Sequence, residues 1–190
     1  HSAMPISIAF RKCPKGIYLR PRLSLYSQAS RKVMDILRDK ADVLEPAGID
    51  EAYLDVSSRG GFAAARDLAL EIQKRIRAEE KLSASVGVGP NKLIAKIASD
   101  HRKPGGLTVV ILRRVAEFLA PKGVGALRGV GPKTKEHIEG MGWRTIAQLL
   151  DASEARLIQE FGKFGGFLWR EARGLDERPV DPDWVRKSIG

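Results

Sequence analysis

The chain has 190 residues, of which 43% are hydrophobic and 29% are charged, so it can bury one large core or two small ones. It has no apolar run near the roughly 20 residues of a membrane span and does not begin like a secretory signal. These features argue against a membrane-embedded protein, and a cytoplasmic location is the expectation. Thirty-three basic and 23 acidic side chains give a net charge of +10, which favours a polyanionic partner such as nucleic acid.

The first 120 residues alternate between helical and strand-like patterns. Helical spacing of apolar residues predicts amphipathic helices, and period-two alternation or short apolar runs predict strands. In chain order, the predicted elements are a helix over 24–41, strands over 43–48 and 52–56, a helix over 62–79, a strand over 83–88, a helix with Pro90 at its first position that stops before Pro104, a strand over 107–112 and a short helix through Phe118. This order predicts an α/β fold of the α+β kind, with helices on one face of a mixed or antiparallel sheet.

The pattern changes near residue 121. Glycines, short helices and turns dominate from Gly123 to Gly174, and no convincing strand is present. This change predicts a domain boundary and a small all-helical unit over 121–177. Residues 178–190 contain two prolines and are typical of a linker.

Two carboxylates, Asp50 and Glu51, are adjacent at the turn between the first two predicted strands. Neighbouring side chains on an extended chain point to opposite faces, so joint metal binding needs a turn or a bulge. One interpretation is a solvated acidic turn. The other is a Mg²⁺ site, because this ion prefers carboxylates, water and substrate phosphates, and two such ions can catalyse nucleotidyl transfer.

A cationic stripe is predicted on the helix that starts near Asn91. Helical geometry places Lys92, Lys96, Ser99 and Lys103 within a narrow angular range. Such a stripe is often only solvated surface. A phosphate contact is best supported for Lys103, because it stands where the helix ends and the chain turns close to the sheet edge.

A Gly-X-Gly turn joins two short helical stretches in the second unit. Glycine permits a positive φ, and Pro132 begins the next helix while its first amides stay free. A helix N-terminus binds anions, and Lys135 adds positive charge nearby. The pattern therefore favours a DNA phosphate bound without base reading over a turn with no ligand. The residues of this predicted DNA contact are Gly129, Val130, Gly131, Lys133 and Thr134.

Four segments, in order along the chain, carry a family resemblance. They are Ile-Asp-Glu-Ala-Tyr-Leu-Asp-Val-Ser at 49–57, Ser-Val-Gly-Val-Gly-Pro-Asn-Lys-Leu-Ile-Ala-Lys-Ile-Ala-Ser-Asp at 85–100 with Lys-Pro-Gly-Gly at 103–106, Gly-Val-Gly-Pro-Lys at 129–133, and Val-Arg-Lys-Ser-Ile-Gly at 185–190. Together they resemble the Y-family translesion DNA polymerases, and the DNA polymerase IV type in particular. The match covers nearly the whole chain, and four motifs in the right order are more specific than any one.

The resemblance implies an incomplete catalytic palm over 24–120, preceded by a remnant of the fingers over 1–23. It implies a helical thumb with a helix-hairpin-helix over 121–177, and a linker to a C-terminal domain over 178–190.

The resemblance also implies roles for single residues. Asp50 would ligate Mg²⁺, Glu51 would act at the catalytic metal near the primer 3′-hydroxyl, and Lys103 would contact the incoming triphosphate. Lys92 and Lys96 are expected to contact DNA. The implied partners are two Mg²⁺ ions, primer-template DNA, a deoxynucleoside triphosphate and a sliding clamp reached through a C-terminal region.

The chain departs from the family pattern at two points. The family begins with a strand whose aspartate bridges both metals, and residues 1–190 do not include that strand. We therefore expect the 190 residues alone to be inactive or nearly so. Gly48 stands where the family usually has serine, which we expect to alter packing more than chemistry.

Two other functions stay open. A non-catalytic helix-hairpin-helix module would bind DNA in a salt-dependent way that Asp50→Ala leaves unchanged. A nucleotidyl cyclase shares a palm-like sheet and two-metal chemistry. The hairpin at 129–133 argues against the cyclase, because a cyclase has no need for contacts with duplex phosphates.

Overall fold

The computed structural model describes residues 4–183. The α-helices of this part are α1 (Ile6–Lys12), α2 (Leu23–Arg38), α3 (Phe62–Glu80), α4 (Lys92–His101), α5 (Val115–Leu119), α6 (Pro132–Gly140), α7 (Ile146–Leu149), α8 (Glu154–Phe161) and α9 (Lys163–Ala172). The strands are β1 (Val43–Pro46), β2 (Ala52–Asp55), β3 (Val86–Val88) and β4 (Leu107–Val109). None of the described helices has the length and apolar character needed to cross a membrane. The motif at 185–190 lies outside the described residues.

The predicted fold class is confirmed. Helices and strands alternate up to residue 119, and the rest of the described chain is helical apart from one isolated bridge, between Gly123 and Thr145. The strands form two small sheets. β1 and β2 pair as an antiparallel hairpin. β3 and β4, which precede and follow α4 in the sequence, pair in parallel.

The unit β3–α4–β4 is unusually close-packed. A Cβ atom on Gly87 would lie 2.0 Å from the backbone oxygen of Ala95, so only glycine lets β3 approach α4 this closely.

The prediction that Pro90 occupies the first helical position is wrong. The side-chain oxygen of Asn91 accepts from the backbone N–H of Ile94 at 3.0 Å and caps α4, so Lys92 is its first residue.

Two hydrophobic cores hold the elements together. In the smaller one, α2 and α3 pack over the hairpin through Met34, Ile36, Leu37, Ile72 and Ile76. The larger one runs from α4 to α9 and includes Ile94, Ala98, Leu119, Ile138, Leu149, Leu157 and Leu168. The larger core therefore continues across residue 121, and the domain boundary near that residue stays a prediction.

Candidate nucleotidyl-transfer site

Asp50 and Glu51 lie at the exposed tip of the β1–β2 hairpin. The backbone N–H groups of Ala47 and Gly48 both donate to the carbonyl oxygen of Glu51, at 2.9 and 3.1 Å, and so close the turn. The turn supplies the irregular backbone that adjacent carboxylates need if they are to act together.

A row of alternating charge links this tip to the end of α4. The Glu51 carboxylate accepts a hydrogen bond from Lys96 Nζ, which lies 3.6 Å from Oδ2 of Asp100. The other Asp100 oxygen lies 2.5 Å from Lys103 Nζ. We call Glu51, Lys96, Asp100 and Lys103 the charge row.

The charge row keeps Lys96 protonated. Burial on its own would lower the pKa of Lys96, but the hydrogen bond and charge of Glu51, with the charge of Asp100, outweigh it and raise the pKa. Lys96 is therefore a cation at neutral pH. Lys96 thus binds Glu51 at the carboxylate tip, and Lys103 is linked to Lys96 through Asp100.

Lys92 does not belong to an exposed cationic stripe, and that part of the prediction is wrong. Its side chain is 9% exposed, and its ammonium donates to both carboxylate oxygens of Glu45, at 2.8 and 2.6 Å. Its third acceptor is the carbonyl oxygen of Pro179, at 3.0 Å. An ammonium has three donors, so Lys92 has none left for a DNA phosphate.

The carboxylates of Asp50 and Glu51 fit a Mg²⁺ ion in their chemistry. Mg²⁺ in nucleotide enzymes is typically bound by one or two carboxylates together with substrate phosphates and water. Within residues 4–183, no three His, Cys, Asp or Glu side chains are grouped to hold a metal. Lys96 occupies Oε1 of Glu51, so a cation that uses both oxygens of this carboxylate has to displace Lys96.

The predicted hairpin in the second unit begins with a turn that requires glycine. Gly129 has a φ of +79°, and a Cβ there would also lie 2.8 Å from the Phe164 ring. Gly131 has a φ of −76°, so of these two glycines Gly129 is the one that uses the positive φ that glycine permits. Pro132 is the first residue of α6, as predicted.

The free amides of this hairpin are those at the start of α6. The N–H groups of Val130 and Gly131 donate within the turn, to the carbonyl oxygens of Leu127 and Gly129. No acceptor among the described residues bonds the backbone N–H of Lys133 or Thr134. Gly131, at the N-cap position, has no side chain to supply one. Two amides and the exposed Lys133 ammonium therefore lie together at a helix N-terminus, an arrangement that suits an anion.

A depression of about 530 Å³ lies beside this helix start. It is lined by Gly123, Gly125, Ala126, Val130, Gly131, Pro132 and Lys135. Small residues therefore leave the backbone accessible to a large ligand such as a nucleic-acid strand.

Sequence reasoning missed two members of these clusters. Asp100 is four residues after Lys96 and three before Lys103, a spacing that predicts ion pairs on a helix and could have revealed it. Glu45, the partner of Lys92, is 47 positions away, and no local pattern could have paired them.

Comparison with known proteins shows which family the chain belongs to. Residues 1–100 match the model of the impB/mucB/samB family. The chain belongs to this family. Residues 125–176 match the family model described as the thumb domain of DNA polymerase iota. The resemblance to Y-family polymerases of the DNA polymerase IV type is thereby confirmed.

Two of the similar curated proteins are both named DNA polymerase IV. DNA polymerase IV of Pseudomonas aeruginosa (strain UCBPP-PA14) is 45% identical over 189 residues, which cover 99% of this chain and 54% of that protein. DNA polymerase IV of Clostridium perfringens (strain 13 / Type A) is 44% identical over 191 residues, which cover 100% and 53%. The chain thus spans about half the length of these relatives.

Solved structures share the fold. The crystal structure of DinB from Sulfolobus solfataricus matches with a TM-score of 0.89 at 33% identity, over 96% of this chain and 54% of that one. An insertion ternary complex of Dbh DNA polymerase matches with a TM-score of 0.86 at 33% identity, over 95% and 54%.

Proposed function

We propose that this chain forms the palm and thumb of a template-directed DNA polymerase of the damage-bypass type. Such an enzyme adds deoxynucleotides to a primer 3′-hydroxyl. The observation that carries the proposal is the placement of Asp50 and Glu51 at an exposed hairpin tip beside Lys96 and Lys103. Carboxylates for Mg²⁺ and cations for phosphate then lie on neighbouring elements, in a chain 45% identical to a DNA polymerase IV.

Each residue of the tip has a proposed role. Asp50 and Glu51 hold Mg²⁺, whose chemistry when bound is to neutralise phosphate charge and activate the primer 3′-hydroxyl. Lys103, which is 54% exposed, turns from Asp100 to the incoming triphosphate. Lys96 keeps Glu51 in place by an ion pair that exchanges when substrate and metal arrive, and then contacts DNA phosphate.

The hairpin at 129–134 is the proposed grip on the DNA backbone. The amides of Lys133 and Thr134 and the Lys133 ammonium bind a phosphate oxygen without reading bases. Gly129, Val130 and Gly131 shape the turn and leave room for the strand.

We infer that the 190 residues alone extend a primer slowly or not at all. The two-metal site implied by the resemblance uses a further aspartate, and residues 4–183 do not group a third carboxylate with Asp50 and Glu51.

The proposed domains are the fingers remnant at 1–23, the palm at 24–120, the thumb at 121–177 and the linker at 178–190. The family-model matches at 1–100 and 125–176 support the separation of palm from thumb in this division. The sliding-clamp contact and the cytoplasmic location stay predictions.

The test is a chimera in which this chain replaces the matching half of the Pseudomonas aeruginosa DNA polymerase IV. We expect Mg²⁺-dependent primer extension by the chimera and little or none by the 190 residues alone. Asp50→Asn and Glu51→Gln should each reduce extension by roughly 100-fold or more, since a metal contributes several kcal/mol to the transition state. Asp67→Asn, at an exposed carboxylate on α3, is the matched control and should extend like the unaltered chimera.

A non-catalytic DNA-binding module is the second candidate, because the free amides at the start of α6 need no metal. It would be favoured if the folded chimera bound DNA normally, extended no primer, and kept its DNA affinity in Asp50→Ala.

A further inference from the structure

A buried ion pair between Lys92 and Glu45 lies one helical turn before Lys96. These two residues, 8% and 4% exposed, are the buried charged residues of the described chain. Taking two charges out of water costs several kcal/mol per ion unless their hydrogen bonds are fully satisfied. The proposed chemistry uses neither side chain, so the pair has some other role.

Both side chains bind the backbone of the segment that follows α9. Lys92 Nζ donates to the carbonyl oxygen of Pro179 at 3.0 Å. The backbone N–H of Asp181 donates to Oε2 of Glu45 at 2.8 Å. We call residues 174–181 the strap.

The strap also touches the start of α4 at two other points. Oδ2 of Asp176 accepts from the backbone N–H of Leu93 at 3.0 Å, where a carboxylate complements the helix dipole. Nδ2 of Asn91 donates to the carbonyl oxygen of Gly174 at 2.8 Å. The strap therefore runs past the N-terminus of α4 and is hydrogen-bonded to Asn91, Lys92 and Leu93 there.

We propose that Glu45 and Lys92 form a latch that fastens the strap and holds the catalytic hairpin to the same point. Glu45 is on β1, opposite Tyr53 on β2, in the hairpin whose tip carries Asp50. The pair thus joins three parts of the chain: the hairpin, the start of α4 and the segment that leaves α9. As a consequence, the hairpin and the strap keep a fixed position relative to α4.

The test is hydrogen–deuterium exchange on the 190-residue chain itself. The double variant Glu45→Leu/Lys92→Met removes both charges and leaves no unpaired ion, a kind of replacement that folded proteins often tolerate. The N–H of Asp181 and the carbonyl of Pro179 then lose their partners. We expect strap amides to exchange about tenfold faster or more, and hairpin amides at 47–55 to exchange faster, while α8 and α9 keep their protection.

Lys96→Met is the matched control, because it removes an exposed lysine from an ion pair one turn along the same helix. It should leave strap exchange unchanged. Cleavage after Glu177 by a glutamate-specific endoprotease gives a second measure and should accelerate only in the latch variant. Unchanged strap exchange in a folded double variant would overturn the latch. Faster exchange throughout α8 and α9 would also overturn it, because that shows a general loss of stability. Primer extension is not measured, so failure of the polymerase proposal leaves the result intact.

Discussion

Two lysine–glutamate pairs on α4 use the same residue types in opposite surroundings. The side chains of Lys92 and Glu45 are 9% and 6% exposed, whereas those of Lys96 and Glu51 are 37% and 48% exposed. Removing one partner of a buried pair costs roughly 3–5 kcal/mol, whereas an exposed pair contributes at most about 1 kcal/mol. The first pair is therefore a permanent contact. The second can open at little cost, which suits a carboxylate that is to bind a cation.

His101, at the end of α4, gives a prediction about pH. Lys122 Nζ lies 3.3 Å from its Nδ1, and the charge of Lys122, then burial, then the charge of Arg102 lower the pKa of His101 below 6.5. The folded chain therefore binds fewer protons here than the unfolded chain in the range just below pH 6.5. We expect the free energy of unfolding to fall as the pH drops from about 7 through 6.5 toward the lowered pKa.

Urea unfolding of the wild type and of His101→Gln, between pH 7.5 and 5.5, measures this effect. The variant should lose less stability than the wild type over that range, and Lys122→Met, which removes the neighbouring charge, should also lose less. An equal loss in wild type and His101→Gln would contradict the assignment.

The β3–α4–β4 unit depends on contact between backbones. At Gly87, an added Cβ would overlap both the Ala95 oxygen, at 2.0 Å, and the Ser99 nitrogen, at 2.4 Å. Both contacts are with backbone atoms, which cannot rotate away as a flexible side chain can. Strand and helix would have to separate as whole elements.

We expect Gly87→Ala to lower the free energy of unfolding by roughly 1–3 kcal/mol or more, as overpacking does in cores. Gly48→Ala is the matched control, because its Cβ would meet only Asp50 Oδ1, at 3.8 Å, and should change stability by less than about 0.5 kcal/mol. Chemical denaturation measures both. Similar losses at the two sites would show that backbone crowding is not the cause.

The elements could be predicted to the extent that local spacing determines them. Periodicity placed the helix over 62–79 and the turn at Asp50 within a residue or two of where they lie. The same spacing put Lys92 on an exposed face, because helical angle says nothing about what packs against that face. Its burial depends on Glu45 and the strap, which are remote in sequence. Likewise, the helical spacing of apolar residues at 24–30 placed Leu25 on the apolar face, yet this residue is 43% exposed.

At the scale of the whole molecule, the net charge of +10 and the hairpin at α6 lead to a prediction about DNA binding. Each phosphate contact releases a counterion, so the logarithm of the binding constant falls linearly with the logarithm of salt concentration. Lys133→Ala should weaken binding to all DNA sequences alike and reduce this slope by about 1. Fluorescence anisotropy of a labelled duplex between 50 and 200 mM salt, the range over which such losses are large, measures the slope.

Lys74→Ala, the same change at an exposed lysine of α3, is the control. A slope change as large as that of Lys133→Ala would indicate that the net charge, rather than the hairpin, governs binding.

The larger core also constrains how the chain can evolve. Gly174 follows α9 with a φ of +73°, and a Cβ there would lie 2.3 Å from Val115, 3.4 Å from Leu119 and 3.5 Å from Ile94. A side chain at Gly174 would therefore need smaller ones at these three positions, which all lie on the other side of residue 121. The segments that match two separate family models, 1–100 and 125–176, therefore share one set of volume constraints. Their buried positions should covary between relatives as though they belonged to a single inherited unit.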